Sequence, residues 1–238
     1  MEKNKFYTLS SNEKKYIKPL YEPYSLEKYS DIENNKEILY ITKQNYKNDA
    51  PELVNHLEKY REIMDNRREN KNNRLKFYHL HWSRDETFFQ RGGKILSIRK
   101  CSIPTFVYTD KEAYTMMSVN IIKTNRYNMK VLSLILNSKL VAFWLRYNGK
   151  LQGGNFQIDK EPILLIPIIE IDKEDYFSSL YDKLFTLKQM DKDINSIVDK
   201  IDILIYKLYN LTYEEALIID STISIDDFQL FESHSLLD

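Results

Sequence analysis

Hydrophobic positions along this chain change period from segment to segment, and each change marks an element. Residues 37–43, EILYITK, predict a strand. Asp49-Ala50-Pro51 is a helix start, with proline in the first turn. Leu53, Val54, Leu57, Tyr60 and Met64 then share one helical face, and the helix ends near residues 67–70. Phe77-Tyr78-His79-Leu80-His81-Trp82 alternates and predicts an extended segment. KILSIR (94–99), PTFVYT (104–109) and TMMSVNIIK (115–123) predict three more strands with short polar links.

Residues 129–147 are apolar nearly all round, which predicts one central helix. A glycine-rich loop follows. ILLIPII (163–169) predicts an extended run, placed at an edge by Pro167. Beyond it the chain turns helical. Phe177, Leu180, Tyr181, Leu184 and Leu187 form one stripe; Ile194, Ile197, Val198, Ile201, Leu204, Ile205 and Leu208 form another, nearly in phase. One long helix or a hairpin near Asp191 fits both. Thr212-Tyr213-Glu214-Glu215 has the form of a capping box. The last dozen residues lack a period. These elements predict an α+β fold: a mixed sheet of short strands around the 129–147 helix, with a helical C-terminal end. The predicted division is a 1–170 α+β domain, a 171–220 acidic helical element packed on it, and a 221–238 tail.

Composition adds limits. Hydrophobic residues make up 42% of 238 residues, enough for a sizeable core. The single cysteine, Cys101, excludes a disulfide framework and a thiolate-rich zinc site. The N-terminal stretch lacks the apolar run of a signal peptide, and residues 131–145 are too short to span a bilayer, so the expected setting is cytoplasmic, without a membrane partner.

Charge changes the picture more. The net charge is zero, yet residues 67–158 carry 17 basic and 5 acidic side chains, and residues 159–238 carry 7 basic and 18 acidic ones. No acid occurs between Glu112 and Asp159. Opposite faces of one globule would account for this; so would an anionic partner. In the basic middle, Arg84, Arg91, Lys94, Arg99, Lys100, Lys123, Arg126, Arg146 and Lys150 are interleaved with Phe88, Phe89, Tyr108, Tyr127, Tyr147 and Phe156. Cations of this kind hold phosphates, while Arg, Asn and Gln discriminate base edges.

Three of the five glycines fall in RYNGKLQGGNFQ, residues 146–157. Helix termination explains Gly149. Gly153 and Gly154 would let a backbone approach a ligand closely, beside Gln152, Asn155 and Gln157, which both donate and accept.

Catalytic patterns are scarce. The sequence contains neither a dinucleotide or P-loop glycine motif nor a Gly-x-Ser-x-Gly elbow. His79 and His81 would share a strand face and could hold a metal, with Asp85 nearby. Asp172, Glu174 and Asp175 faintly suggest a nuclease metal cluster, although acids at a helix start serve the helix itself. We assign no catalytic residue and no metal ligand from the sequence.

Several stretches together carry a resemblance: IKPLYEPYSLEKY (17–29), PELVNHLEKYREIMDNRREN (51–70), FYHLHWSRD (77–85), KILSIRKCSIPTFVYTD (94–110), ILNSKLVAFWLRYNGKLQGGNFQIDKEPILLIPI (135–168) and IDILIYKLYNLTYEEALII (201–219). In this order they resemble the TaqI-like C-terminal specificity domain. The most specific parts are Leu136-Asn137-Ser138-Lys139-Leu140 with the Gly-Gly-x-Phe loop, and the closing Ile201-Asp202 to Glu215 segment. That family supplies target recognition to adenine-specific DNA methyltransferases and to fused type IIG restriction–modification enzymes.

The resemblance implies double-stranded DNA as partner, together with a linked or separate methyltransferase or nuclease domain. S-adenosylmethionine and Mg2+ would belong to that catalytic part, and no cofactor to this chain. The methyltransferase Asn-Pro-Pro-Tyr motif is absent from the sequence, so the chain reads as a specificity domain without its catalytic partner. Only locations are carried over: the 84–100 stretch and the loop after the central helix. The candidate DNA-binding set is Arg84, Arg91, Lys94, Arg99, Lys100, Lys150, Gln152, Gly153, Gly154, Asn155 and Gln157, expected to converge on one cleft floored by the glycine pair. The alternatives are a protein–protein or dimerisation module using the acidic C-terminal helices, and a metal-dependent nuclease fragment using the acids at 170–175.

Overall fold

The computed structural model describes residues 9–34, 36–72, 74–171 and 173–233, with residues 231–233 described by backbone only. In chain order the first elements are α1 (Ser11–Lys14), β1 (Ile17–Tyr21), β2 (Lys36–Leu39), α2 (Pro51–Leu57), α3 (Arg61–Asp65), α4 (Arg68–Lys71), β3 (Lys94–Ile98), β4 (Lys100–Cys101), β5 (Phe106–Thr109), β6 (Tyr114–Thr115) and β7 (Val119–Ile122). There follow α5 (Met129–Asn137), α6 (Lys139–Asn148), β8 (Lys150–Gln152), β9 (Asn155–Gln157), α7 (Lys160–Leu165), α8 (Glu174–Gln189), α9 (Asn195–Leu208), α10 (Tyr213–Ile219) and α11 (Ile225–Ser233). The fold is α+β, built on three small sheets ordered β2-β1-β6, β5-β3-β7 and β4-β9-β8.

Two compact, discontinuous units emerge. The first holds Met1–Tyr21, Asn34–Gln90 and Glu112–Tyr114; the second holds Glu22–Glu33, Arg91–Lys111 and Thr115–Asp238. The sequence division at 170/171 has no counterpart in this partition, because α8 and α9 share the core of α5.

In the first unit β1 pairs antiparallel with β2, Ile17 opposite Leu39. Tyr16, Ile41, Ala50 and Leu53 form its core, with α2 entered through Pro51. A buried carboxylate ties α1 to α2: Glu13 Oε1 accepts the Glu52 N–H at 2.9 Å while Oε2 accepts from Ser10. Burial pushes this carboxyl up, but the hydrogen bonds from Ser10, Glu52 and Leu53 outweigh it and hold it below its ordinary range.

The alternation at 77–82 does not produce a strand; these residues form turns. His79 explains part of this. Its own N–H donates to the Lys76 carbonyl, and its Nδ1 accepts the Lys76 N–H at 3.1 Å, closing a local turn. Burial first, then Lys76 and Lys43, hold its pKa down, which favours the neutral ring.

In the second unit β3 is buried along its whole length and pairs antiparallel with β5 and β7, Leu96 lying opposite both Val107 and Ile121. Helix α5 is the central helix, buried at eight of its nine positions. Its core also takes Phe177, Leu180, Tyr181 and Leu184 of α8 and Ile201, Leu204 and Ile205 of α9. The two stripes are therefore separate helices, parted near Asp191, which adopts φ 52°. Thr212 and Glu215 form the capping box of α10.

The predicted 129–147 helix is broken in two. Ser138 is extended at ψ 157°, and its hydroxyl accepts from Val141 N–H to cap α6. Asn137 cannot continue the helix as a passive residue, because its amide is committed to the β5 edge. Oδ1 accepts the Phe106 N–H at 3.0 Å, and Nδ2 donates to the Phe106 carbonyl at 2.6 Å and the Ser133 carbonyl at 2.9 Å. The predicted extended run at 163–169 is also corrected: 160–165 is the short helix α7, started at Asp159, with Pro162 in its first turn where a missing N–H costs nothing.

Charges cap both sides of the break. Lys28 Nζ donates to the Asn137 carbonyl at 3.1 Å, at the negative end of α5. Asp202 accepts the Lys139 N–H at 2.9 Å, at the positive end of α6. Burial pushes the Asp202 carboxyl up to about 6, although Lys139 and Lys28 favour its charge. In the unfolded chain it titrates near its ordinary value, about 4. Folded wild type thus holds a proton between about pH 4 and about pH 6 that the unfolded chain has released, and its stability falls through that window as pH rises. Asp202→Asn keeps an acceptor for Lys139 and lacks this loss. In urea unfolding it is expected to match wild type near pH 4 and to exceed it by about 3 kcal/mol above about pH 6. Equal stability at both pH values would refute the assignment.

Candidate nucleic-acid interface

The sheet β4-β9-β8 gathers much of the expected set. Its registers place Lys100 opposite Gln157, Gln157 opposite Lys150, and Asn155 opposite Gln152. Opposed residues on an antiparallel sheet point to one face, as do residues two apart on a strand. Lys100, Lys150, Gln152, Asn155 and Gln157 therefore share a face. The alternate residues, Cys101, Phe156 and Leu151, share the other, and Phe156 is buried in the core with Cys101 packed against it. On the polar face Lys100, Lys150 and Gln152 are exposed and Asn155 and Gln157 half-buried; on the other face Phe156 is buried while Leu151, near the hairpin tip, is exposed.

Gly153 and Gly154 occupy the tip of the β8–β9 hairpin at φ 57° and 81°. Two central residues with positive φ define a type I′ turn, the two-residue connection whose twist matches the strands. A Cβ at either position would meet open space, so the requirement is conformational. This turn accounts for the glycine pair without any ligand. The pair sits at the rim of the polar face, beyond Gln152 and Asn155.

Asp159, the first acid after the basic stretch, organises one side of this face. Its Oδ1 receives Arg99 at 2.5 Å from Nη2 and at 3.2 Å from Nε, and its Oδ2 receives Gln157 Nε2 at 2.9 Å. The Arg99 guanidinium, then Gln157, hold its carboxyl below the ordinary carboxylate range. Arg99 also donates to the Met117 carbonyl at 2.9 Å.

A family model for the TaqI-like C-terminal specificity domain matches residues 19–168. The chain belongs to this family. No curated protein matches it. Among solved structures it resembles MmeI, a Type IIL restriction–modification enzyme determined in complex with DNA, with a TM-score of 0.62 and 11% identity. The match covers 93% of this chain and 32% of MmeI, so the chain spans about a third of that enzyme.

The remaining expected residues of the specificity domain are divided between the two units. Arg84 belongs to the first unit and the other ten to the second. Arg91 is exposed at the start of β3, the opposite end of the strand from Arg99. Lys94 is a correction: its side chain is fully buried, and Nζ donates to the Gly92 carbonyl at 3.0 Å and the Lys111 carbonyl at 2.5 Å. A lysine on a buried strand reads as surface charge in sequence, yet here it satisfies backbone carbonyls inside the unit.

The basic middle is partly neutralised within the second unit. Lys130 pairs with Asp182, and Lys139 with Asp199 and Asp220. Sequence reasoning missed Asp159; its signal was its position as the acid that ends the basic run.

The alternative sites are dispersed. His79 and His81 do not share a strand face: His79 closes its turn, and His81 Nε2 lies 3.0 Å from Glu69. Glu174 accepts the Asn128 N–H at the start of α5, Asp175 is exposed on α8, and Asp172 lies outside the described residues. Among the described residues no three His, Cys, Asp or Glu side chains are grouped to hold a metal ion. Among them, too, no helix is long and apolar enough to cross a membrane. The apolar stripes of α8 and α9, which a dimerisation module would offer to a partner, are used in the domain's own core.

The turn assignment separates conformation from ligand approach. Gly153→Asn, which tolerates this φ, is expected to leave stability within about 0.5 kcal/mol, whereas Gly154→Val costs about 1–2 kcal/mol. Thermal unfolding measures both. If Gly153→Asn folds normally but loses DNA affinity, close approach at the glycine, and not the turn, is the constraint.

Proposed function

We propose that this specificity domain reads duplex DNA for a restriction–modification enzyme through the outward face of the β4-β9-β8 sheet. The observation that carries this reading is the shared face itself. Two lysines separated by Gln157 meet phosphates, and three amide side chains that both donate and accept stand beside them. The buried Phe156 anchors this face to the core, so base-reading groups are held on strands that do not have to be ordered on binding. Gln157 gives its N–H to Asp159 and keeps its carbonyl oxygen for a donor on a base edge. Arg99 positions this pair through Asp159. Exposed Arg91, together with Arg84 of the first unit, adds phosphate contacts. The DNA complex of the structurally similar Type IIL enzyme supports the choice of ligand.

The wider assembly follows the family. A methyltransferase domain using S-adenosylmethionine, of the adenine-specific type, would modify the target, and a Mg2+-dependent nuclease would cut it, as in type IIG enzymes. The reading places the domain in the cytoplasm with that partner. No step of either reaction falls to a residue of this chain.

The target sequence would be selected from a random duplex library, and affinity followed against salt. Lys100→Ala and Lys150→Ala should each weaken binding and lower the slope of log affinity against log salt by about 1. Gln152→Ala and Asn155→Ala should leave that slope alone and reduce preference for the target by about 1–3 kcal/mol. Unchanged affinity and slope in both lysine variants would remove the sheet face from the interface.

Arg99→Ala tests the positioning role. It should reduce target preference as Gln157→Ala does, and the double variant should lose no more than either single one. Additive losses would mean that Arg99 contacts DNA directly.

A further inference from the structure

The 77–82 turns of the first unit hold an aromatic residue out in solvent. Trp82 is 70% exposed and adopts φ 60°, a left-handed conformation that a bulky residue takes only where its surroundings impose it. Those surroundings are visible. On one side, the His81 ring lies 5.5 Å from the indole, centroid to centroid, and His81 Nε2 is 3.0 Å from the Glu69 carboxylate. On the other, the Tyr40 hydroxyl donates to the Arg84 carbonyl at 2.7 Å and accepts the Arg84 N–H at 2.9 Å. The backbone is tied just after Trp82 by Tyr40, and the His81 ring packs beside the indole, so the indole projects from an ordered turn.

The same Glu69 gathers cations. It lies on α4 with exposed Arg68 and Lys71, and its carbonyl accepts the Arg74 N–H at 3.1 Å. Lys76 is exposed beside Tyr78. Glu69 is the one acid among residues 67–84, against six basic side chains. An aromatic held outward among cations matches a ligand that offers both phosphates and flat π-faces.

We infer that Trp82 stacks on a nucleobase of the bound DNA, with Arg68, Lys71, Arg74 and Lys76 on the flanking phosphates. The inference rests on the DNA-reading role above, and it adds a contact made by the first unit that is independent of the sheet face of the second. A duplex exposes a base face only where a step is opened, so this contact belongs to a distorted target. An indole supplies the stacking surface whatever the base, so Trp82 contributes to affinity and the amides of the sheet to sequence preference.

The chain has two tryptophans, Trp82 and Trp144, the latter packed against the core of the second unit. Trp144→Phe leaves Trp82 as the sole indole emitter. Titrating this variant with the selected duplex should quench its emission, while polyglutamate, an anion without bases, should not. Trp82→Ala should weaken duplex binding roughly ten-fold or more with the salt slope unchanged, and Trp82→Phe should recover most of the loss. Lys71→Ala and Arg74→Ala should instead lower the slope. An unquenched indole together with unaltered affinity in Trp82→Ala, while Lys100→Ala and Lys150→Ala bind weakly, overturns this inference and leaves the sheet interface standing. Equal quenching by polyglutamate overturns it as well. A wild-type chain that binds no duplex refutes the DNA-reading role itself, and this contact with it.

Discussion

The second unit depends on the way one buried helix is interrupted. Asn137 ends α5 by giving its whole amide to the backbone of Phe106 and Ser133. Ser138 then starts α6 in a new direction. Two apolar helices could have run on as one, since the hydrophobic pattern permits it. The interruption places unpaired carbonyls and N–H groups in a core, where each would carry a large desolvation penalty. They are met by Lys28 on one side and by Ser138 and Asp202 on the other. A buried carboxylate whose pKa is raised by its surroundings is tolerated there because it completes the start of α6.

The candidate interface inherits its position from that break. Helix α6 runs straight into β8, β8 turns through Gly153 and Gly154 into β9, and β9 pairs with β4, the continuation of the buried β3. The hairpin is therefore fastened at three places: the end of α6, the edge of β4, and Phe156 in the core. Residues between these anchors are free to differ in chemistry without altering the backbone. A sequence-reading surface needs this separation, in which the fold fixes where the side chains stand and leaves their identity open.

Charge is sorted by the same architecture. The sequence suggests a wholly basic middle facing an anionic partner, but Lys94, Lys130, Lys139 and Arg99 are committed inside the unit. The acidic helical end thus has a structural share in balancing the middle, in keeping with the simpler reading that opposite charges lie on one globule. Lys100 and Lys150 are exposed on the outward face, where Lys150 adds to the positive field that holds the Asp159 carboxyl down. In the first unit Glu69 is the one acid among residues 67–84 against six basic side chains, so α4 and the following turn are dominated by positive charge.

By itself the sequence determined what is local. The strands β3, β5 and β7, the helices of the C-terminal end, the Pro51 start and the Thr212 capping box follow from period and from cap chemistry within a few residues. The family resemblance, carried by Asn137-Ser138 and the glycine loop, was equally legible there. Only the tertiary structure decided where polar groups find partners from distant segments. Asn137 breaks the helix because Phe106 is beside it, Lys94 points inward because the Lys111 carbonyl awaits it, and Asp202 caps α6 from a helix sixty residues on. Hydrogen-bond partners thirty or sixty residues apart leave no periodic trace, and a one-dimensional pattern cannot tell a surface cation from one that completes a buried turn.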